Sequence, residues 1–302
     1  MNNSLIFDTK RYAINDGPGI RVTVFFKGCP LSCIWCHNPE GLSAQKQKVY
    51  TPEKCIACGD CVEVCQQDAC RLTADGIVTD NDICILCGDC AKVCPSTATE
   101  MSGEHLGVEH LVETFSRDKP LMDQSGGGVT FSGGEPLMHP QLLMKLLDAC
   151  GDLGIHRCID TGGMAAPDIL LRAAQKTELF LYDLKVMNAE KHKQLTGVSN
   201  ENILNNLELL AGTGVEIIIR IPLLKNLNDD DDNLQQTAAY IAGLQGESRV
   251  VNLLPYHNSA EKKHLKLGQD YDSSLLATPS IERQDQIIEL FKTHGIQASI
   301  GG

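Results

Sequence analysis

Residues 28–38 read GCPLSCIWCHN and place Cys29, Cys33 and Cys36 in a C-x3-C-x2-C spacing at the end of an apolar run. Three thiolates on one short loop can hold three corners of a cubic iron–sulfur cluster, whereas an ordinary [4Fe–4S] cluster takes four cysteines. The next cysteine, Cys55, opens a separate motif. The fourth iron would therefore keep an open coordination position, which is where metal sites usually perform chemistry. A zinc loop is the alternative, although zinc ligands more often come as C-x2-C pairs.

The residues around this loop resemble one enzyme family. Residues 16–21 read DGPGIR, and residues 36–38 read CHN. This context resembles the radical S-adenosylmethionine (SAM) enzymes, specifically those that activate glycyl radical enzymes. The resemblance implies that the three cysteines form the catalytic centre and that the open iron is chelated by the amino and carboxylate groups of SAM. It also implies that Trp35 and His37 pack against the adenine or hydrogen-bond to it.

Strand-like and helix-like patterns alternate along most of the chain. Strands are predicted at residues 20–28, 128–131, 156–159, 179–181, 215–221, 250–254 and 297–300. Helices are predicted at residues 108–115, 140–153, 167–174, 202–211, 234–244 and 281–294. Alternating βα units imply a parallel sheet. The sequence therefore predicts an α/β fold, a partial TIM-type (β/α)6 barrel, built from residues 1–45 and 104–302.

Residues 46–103 are predicted to be a ferredoxin-like insertion because they contain an internal repeat. CIACGDCVEVCQQDA at 55–69 and CILCGDCAKVCPSTA at 84–98 agree at nine of fifteen positions. Each is C-x2-C-x2-C-x3-C, the bacterial ferredoxin run, whose fourth cysteine ligates the other cluster. The expected sets are Cys55, Cys58, Cys61 and Cys94 for one cluster, and Cys84, Cys87, Cys90 and Cys65 for the other. Gln66 replaces the usual proline, which Pro95 supplies in the second half. Zinc knuckles are the alternative.

Polar clusters stand at the ends of the predicted strands. They are SGGE at 132–135, DTGG at 160–163, DLK at 183–185, Arg220, and PYH at 255–257. The carboxyl ends of parallel barrel strands form one face, and that face carries the active site. The three-cysteine loop follows the first strand and opens onto the same face. The sequence therefore predicts that these motifs meet at one barrel mouth.

The family resemblance gives these clusters roles. Besides Trp35, Cys36 and His37, the implied cofactor-binding residues are Gly133, Gly134, Glu135, Asp160, Asp183, Leu184, Lys185, Arg220 and His257. Glu135 would accept from the amino group of SAM, Lys185, counted as catalytic with the cysteines, would meet its carboxylate, and His257 would lie near its ribose. Asp160 and the DLK aspartate would build a monovalent-cation site, although Gly162 stands where the family more often has Asn. Without the resemblance, a plain turn, a salt bridge at the barrel rim and a surface histidine are alternatives.

The composition limits the class of protein. The 302 residues carry a formal net charge of −13, which argues against a nucleic-acid partner. No apolar run has the length of a signal-peptide core or a membrane span, so no membrane association and a cytoplasmic location are predicted. In a reducing compartment the 14 cysteines indicate metal ligands. The three outside the motifs, Cys70, Cys150 and Cys158, are predicted to be buried, inert thiols.

The resemblance implies an oxidoreductase with three [4Fe–4S] clusters and SAM. A low-potential flavodoxin or ferredoxin would supply an electron through the insertion. SAM would then be split into methionine and a 5′-deoxyadenosyl radical, which takes hydrogen from a glycine Cα of a partner glycyl radical enzyme. The alternatives are a radical SAM enzyme that acts on a small molecule, and a ferredoxin-type electron carrier with no catalysis of its own.

Overall fold

The computed structural model describes residues 4–246 and 250–301. Its strands are β1 (Ile6–Ala13), β2 (Arg21–Phe26), β3 (Gln47–Tyr50), β4 (Cys70–Thr73), β5 (Gly76–Thr79), β6 (Thr99–Ser102), β7 (Gly128–Gly133), β8 (His156–Thr161), β9 (Leu179–Asp183), β10 (Glu216–Leu223), β11 (Val250–Pro255) and β12 (Gln297–Ile300). Its helices are α1 (Asp60–Glu63), α2 (Asp89–Lys92), α3 (Val108–Ser125), α4 (Pro140–Asp152), α5 (Pro167–Ala174), α6 (Ala189–Thr196), α7 (Glu201–Ala211), α8 (Asp231–Gly243), α9 (Ser259–Lys266) and α10 (Ile281–Thr293).

The main sheet is an open barrel wall. Its strand order is β1-β2-β7-β8-β9-β10-β11-β12, and every neighbouring pair from β2 to β12 is parallel. Strand β1, which the sequence analysis missed, pairs antiparallel with β2 at one edge. Each of the six strands from β2 to β11 is followed by at least one helix, and β12 adds a seventh parallel strand. The predicted α/β fold with a partial barrel is confirmed.

The core lies between the barrel wall and its outer helices. Val129 and Phe131 on β7 are fully buried, as expected for a strand of a parallel sheet covered on both faces. Phe115 of α3 packs edge-on against Phe131, with ring centroids 6.4 Å apart. Helix α8 begins within an acidic run at residues 229–232, where the Asp230 side chain accepts from the Asn233 N–H and caps the helix.

The DGPGIR segment lies between β1 and β2, at the amino end of the barrel strands. Arg21 is fully buried, and its guanidinium donates to Thr130 Oγ1 at 2.6 Å and to the Val129 carbonyl at 2.8 Å. Thr130 Oγ1 in turn donates to the Asp16 carbonyl at 2.6 Å, and Thr23 Oγ1 to the Asp16 carboxylate at 2.7 Å. This motif therefore binds the strands together at the end opposite the three-cysteine loop.

The segment between the cysteine loop and α3 forms two small antiparallel ribbons, β3–β6 and β4–β5, with the one-turn helices α1 and α2. The two halves of the sequence repeat also share unusual backbone φ angles at equivalent positions. Ala57 and Leu86 both have left-handed φ angles, 56° and 54°, and so do Gly59 and Gly88, at 87° and 84°. The limits of the insertion at residues 46 and 103 stay a prediction. None of the described helices is long and apolar enough to cross a membrane.

Candidate active site

A cavity of about 200 Å³ opens at the carboxyl ends of the barrel strands. Residues singled out from the sequence form much of its lining: Cys29, Cys33, Trp35, Cys36, His37, Gly133, Gly134, Asp160, Asp183, Lys185 and Arg220. The sequence analysis gave no role to several others: Leu31, Asn38, Ser132, Thr161, Pro222, Leu224, Leu254 and Tyr256. Most of these lie within the quoted motifs, and their contribution depends on how the strand ends curve around the cavity.

The three-cysteine loop is held at its base and at its tip. Gly28 N–H donates to the Gly41 carbonyl at 2.8 Å, which closes the base of the loop. Ser32 N–H donates to the carbonyl of Thr196, at the end of α6, at 2.8 Å. Burial raises the pKa of Cys29 and of Cys36 to about 12. Such thiols would stay protonated unless a metal replaced their protons, so this environment fits thiolate ligands of a cluster.

Two glycines at the end of β7, Gly133 and Gly134, support the base of that loop. A Cβ on Gly134 would lie 2.7 Å from the carbonyl carbon of Gly28, and one on Gly41 would lie 2.7 Å from the Gly134 nitrogen. Gly134 N–H donates to the Phe26 carbonyl, and Glu135 N–H to the Gly28 carbonyl, both at 2.8 Å. The space that these glycines free is therefore filled by protein backbone, while their main chain lines the cavity.

Glu135 lies beneath the cavity and does not line it. Its carboxylate is fully buried and accepts from Thr161 Oγ1 at 2.8 and 2.9 Å, from Gly162 N–H at 3.0 Å and from Leu137 N–H at 3.1 Å. Burial raises the pKa of this carboxyl to about 7. The turn after Glu135 directs its side chain inward, where it holds the turn after β8, and the contact with the amino group of SAM stays a prediction.

Two acidic and two basic side chains face each other at the mouth of the cavity. Lys185 Nζ donates to Asp183 Oδ2 at 2.7 Å. Arg220 Nη1 lies 3.3 Å from Asp160 Oδ1, and Ser132 Oγ donates to Asp160 Oδ2 at 2.7 Å. Burial raises the pKa of Asp160, and Arg220 opposes that rise. Nε and Nη1 of Arg220 are buried and make no hydrogen bond within the protein, Nη1 contacting Asp160 only as an ion pair, so the cavity offers donors to an anionic ligand.

Leu184 and His257, both predicted to bind the cofactor, also lie outside the cavity lining. Leu184 is buried and donates its N–H to the Arg220 carbonyl at 2.9 Å, which extends the pairing between β9 and β10. His257 is exposed, and its ring stacks on that of His37 with centroids 4.3 Å apart. His37 stacks as well on Tyr256, at 5.7 Å. His257 therefore contacts His37, which lines the cavity, but does not line the cavity itself.

The cysteines of the repeat come together as two sets of four. One small cavity is lined by Cys55, Cys58, Cys61 and Cys94, and another by Cys65, Cys84, Cys87 and Cys90. Each set takes three cysteines from one half of the repeat and the fourth from the other half. Within residues 4–246 and 250–301, no three His, Cys, Asp or Glu side chains are arranged to hold a single metal ion. In a cluster each thiolate binds a different iron, which requires a wider spacing.

The three remaining cysteines are buried. Burial raises the pKa of Cys150 and of Cys158 to about 12. Cys70 differs from these two because it lines the second cavity of the insertion, beside Cys65. Its position was not anticipated from the sequence, since it lies outside both ferredoxin runs.

Comparison with known proteins identifies the family. The trans-4-hydroxy-L-proline dehydratase activating enzyme of Clostridioides difficile is 41% identical over 99% of this chain and 100% of that protein. The choline trimethylamine-lyase activating enzyme of Oleidesulfovibrio alaskensis is 40% identical over 95% of this chain and 96% of that protein. This chain belongs to the glycyl-radical-enzyme activating enzymes of the radical SAM superfamily.

Domain and structure comparisons agree with this membership. The radical SAM superfamily model matches residues 92–238, the 4Fe-4S dicluster domain residues 54–98, and a 4Fe-4S single cluster domain residues 15–68. A domain of the pyruvate-formate lyase-activating enzyme from Bacteroides vulgatus is 38% identical with a TM-score of 0.51, covering 59% of this chain and 100% of that one. The function predicted from the sequence is confirmed. The activating enzyme cleaves SAM reductively, and the resulting 5′-deoxyadenosyl radical abstracts hydrogen from a glycine of its partner.

Proposed function

We propose that this activating enzyme binds SAM in the cavity at the barrel mouth, against a [4Fe–4S] cluster held by Cys29, Cys33 and Cys36. The observation that carries the proposal is the buried Arg220 guanidinium, whose Nε and Nη1 make no hydrogen bond within the protein, facing a cavity that these cysteines also line. When bound, the cluster supplies the electron that breaks the sulfonium bond of SAM. The protein supplies orientation and excludes water.

Different residues of the cavity bind different parts of SAM. Arg220 and Lys185 supply positive charge to its carboxylate, and the main chain of Gly133 and Gly134 faces its amino group. Trp35 and His37 border the space for the adenine. Glu135 supports this set from below by fixing the turn after β8, and Leu184 and His257 support Arg220 and His37. A monovalent cation bound by Asp160 and Asp183 stays a prediction, since each carboxylate already contacts a basic side chain.

The insertion is proposed to span residues 46–103 and to hold two further [4Fe–4S] clusters, one in each four-cysteine cavity. Closed sets of four thiolates leave no open iron, so these sites suit electron transfer and not hydrogen abstraction. The electron donor is proposed to be a low-potential flavodoxin or ferredoxin. Oxygen-sensitive clusters and many free cysteines favour a reducing, cytoplasmic setting.

The protein substrate is proposed to be a glycyl radical enzyme whose reactive glycine enters the barrel mouth as an extended loop. Glycine suits this reaction because its Cα radical is stabilised by the flanking amide groups and no side chain blocks the hydrogen. The relatives are named for activating a dehydratase and a lyase. The partner of this chain is accordingly proposed to belong to the same broad group of enzymes.

The cluster assignment is tested by iron analysis after anaerobic reconstitution. Three clusters give about twelve irons per chain. Cys36→Ala should lose about four irons and all SAM cleavage, because only the barrel cluster is affected. Cys87→Ser should instead slow reduction by the physiological donor while sparing a single turnover from the pre-reduced state. If Cys36→Ala keeps SAM cleavage or loses all its iron, the assignment is wrong.

The partner is tested with deuterium. A candidate glycyl radical enzyme containing α-deuterated glycine is mixed with the activating enzyme, SAM and dithionite. Deuterium should appear in 5′-deoxyadenosine, and the partner should gain a protein-based EPR doublet. Deoxyadenosine without deuterium, together with consumption of a small metabolite, would instead support the small-molecule alternative.

A further inference from the structure

Lys48, on β3 of the insertion, has an environment that no sequence motif indicates. Its side chain lines the cavity that Cys65, Cys84, Cys87 and Cys90 share. Nζ donates to Thr79 Oγ1 at 2.7 Å and to Cys70 Sγ at 3.2 Å. Both partners lie at the paired ends of β4 and β5. The ammonium is therefore held in one place by two hydrogen bonds.

The charge of Lys48 has no carboxylate partner among the residues that the structure describes. The cavity that Lys48 lines also contains the thiols of Cys70 and Cys90. Lys48 lines the cavity of Cys90 and does not line that of Cys61, so the ammonium lies nearer the set of Cys65, Cys84, Cys87 and Cys90. A cluster becomes more negative when it is reduced, and a fixed positive charge nearby stabilises that form.

The position of Lys48 along the β3–β6 ribbon shows which of the two four-cysteine cavities lies nearer the barrel. The ribbon leaves the barrel at the pair Gln47 and Ser102, and Lys48 pairs next with Met101. Lys48 and Met101 both line the cavity of Cys65, Cys84, Cys87 and Cys90, whereas Thr99, at the far end of the ribbon, lines the other one. Lys27, two residues before Cys29, donates to Gln47 Oε1 at 2.8 Å. The Lys48 cavity is therefore the one nearer the barrel.

We propose that Lys48 sets the order of electron transfer within the insertion. Its ammonium raises the reduction potential of the cluster site nearer the barrel above that of the farther site. This rests on the proposed presence of two clusters in the insertion. One electron from the flavodoxin or ferredoxin donor then reaches the farther site first and rests at the site beside Lys48. No bond forms or breaks in this transfer, and the next acceptor is the SAM-binding site of the barrel.

The test is a redox titration followed by EPR on the full-length, reconstituted protein. The titration uses the Cys36→Ala background, so that only the two insertion clusters are followed. In Lys48→Met, the potential of one cluster should fall enough to change its oxidised-to-reduced ratio at least tenfold, which is 59 mV for a one-electron couple. Lys48→Arg keeps the charge, so its reduction potential should differ from that of the protein with native Lys48 by less than a third of that shift.

Lys54→Met is the matched control. Lys54 belongs to the same insertion, is about half exposed and contacts Glu100 at 3.7 Å, so solvent screens its charge. Lys54→Met should leave the reduction potentials of both insertion clusters unchanged. Equal shifts in Lys48→Met and Lys54→Met, or no shift in Lys48→Met, would overturn the role of Lys48.

Two further outcomes are separated by iron content. If the Cys36→Ala protein with native Lys48 binds far fewer than about eight irons, the insertion does not hold two clusters. That result refutes the proposed clusters and is distinct from a failure of the role of Lys48. If Lys48→Met and the shorter Lys48→Gln both lose iron while Lys54→Met keeps it, Lys48 is a structural support, and the proposed electronic role is wrong.

Discussion

Replacing Gly134 by Ala should disrupt the base of the three-cysteine loop. The new Cβ would lie 2.7 Å from the carbonyl carbon of Gly28 and closer still to the carbonyl oxygens of Gly28 and Gly41. All of these atoms belong to backbone, so no flexible side chain can move aside. The loop base must shift, and the hydrogen bonds Glu135 N–H to Gly28 O and Gly28 N–H to Gly41 O, both 2.8 Å, are lost or lengthened.

The expected cost follows from these two effects. Overpacking a close-packed site costs about 1–3 kcal/mol, and each hydrogen bond contributes about 1 kcal/mol. Because the shift partly relieves the overlap, we expect the free energy of unfolding to fall by about 2–4 kcal/mol. Urea unfolding of the reconstituted protein, followed anaerobically by circular dichroism, measures this change. SAM cleavage should fall together with stability, since the same shift displaces the loop that carries Cys29.

Gly243→Ala is the matched control. Gly243 lies in the last turn of α8, and a Cβ there would meet no atom within 4 Å. Alanine should be neutral or stabilise by up to about 1 kcal/mol, because it favours helix. If Gly134→Ala unfolds within 0.5 kcal/mol of the wild type (roughly the effect of an ordinary surface change) and still cleaves SAM, the packing argument is wrong.

Three further predictions concern the barrel. Arg220→Met should raise the KM for SAM at least tenfold, about 1.4 kcal/mol of binding, and leave Asp160 without its cation; an unchanged KM would remove Arg220 from the SAM site. Tyr182→Phe should lower the free energy of unfolding by about 1 kcal/mol, because the buried hydroxyl donates to the Ile203 carbonyl at 2.7 Å. Burial raises the pKa of Glu135 from 4.5 to about 7, so the folded state binds this proton more tightly than the unfolded state. The stability of the wild type relative to Glu135→Gln should therefore fall by about 2–3 kcal/mol from pH 5 to pH 8, and a flat difference would contradict that pKa.

Much of the fold was predictable because parallel strands are locally apolar and their helices are amphipathic. The predicted strands at 128–131, 156–159, 179–181 and 250–254 all lie within observed strands. Strand β1 was missed because its exposed, charged side chains hide the apolar pattern of a strand at the sheet edge. Helices α6 and α9 were missed because they are short and largely polar, so their stability comes from contacts with the rest of the barrel.

Sequence alone determined the three-cysteine loop, the two ferredoxin runs and the polar strand ends, because spacing along the chain fixes which groups a short loop can present together. The tertiary structure decided where each side chain of those motifs points. It turned Glu135 away from the cavity, left Nε and Nη1 of Arg220 without a hydrogen bond inside it, and placed DGPGIR at the opposite end of the barrel. It also brought Lys48 and Cys70 together from different ribbons. Such directions depend on packing between segments distant in sequence, which residue spacing does not encode.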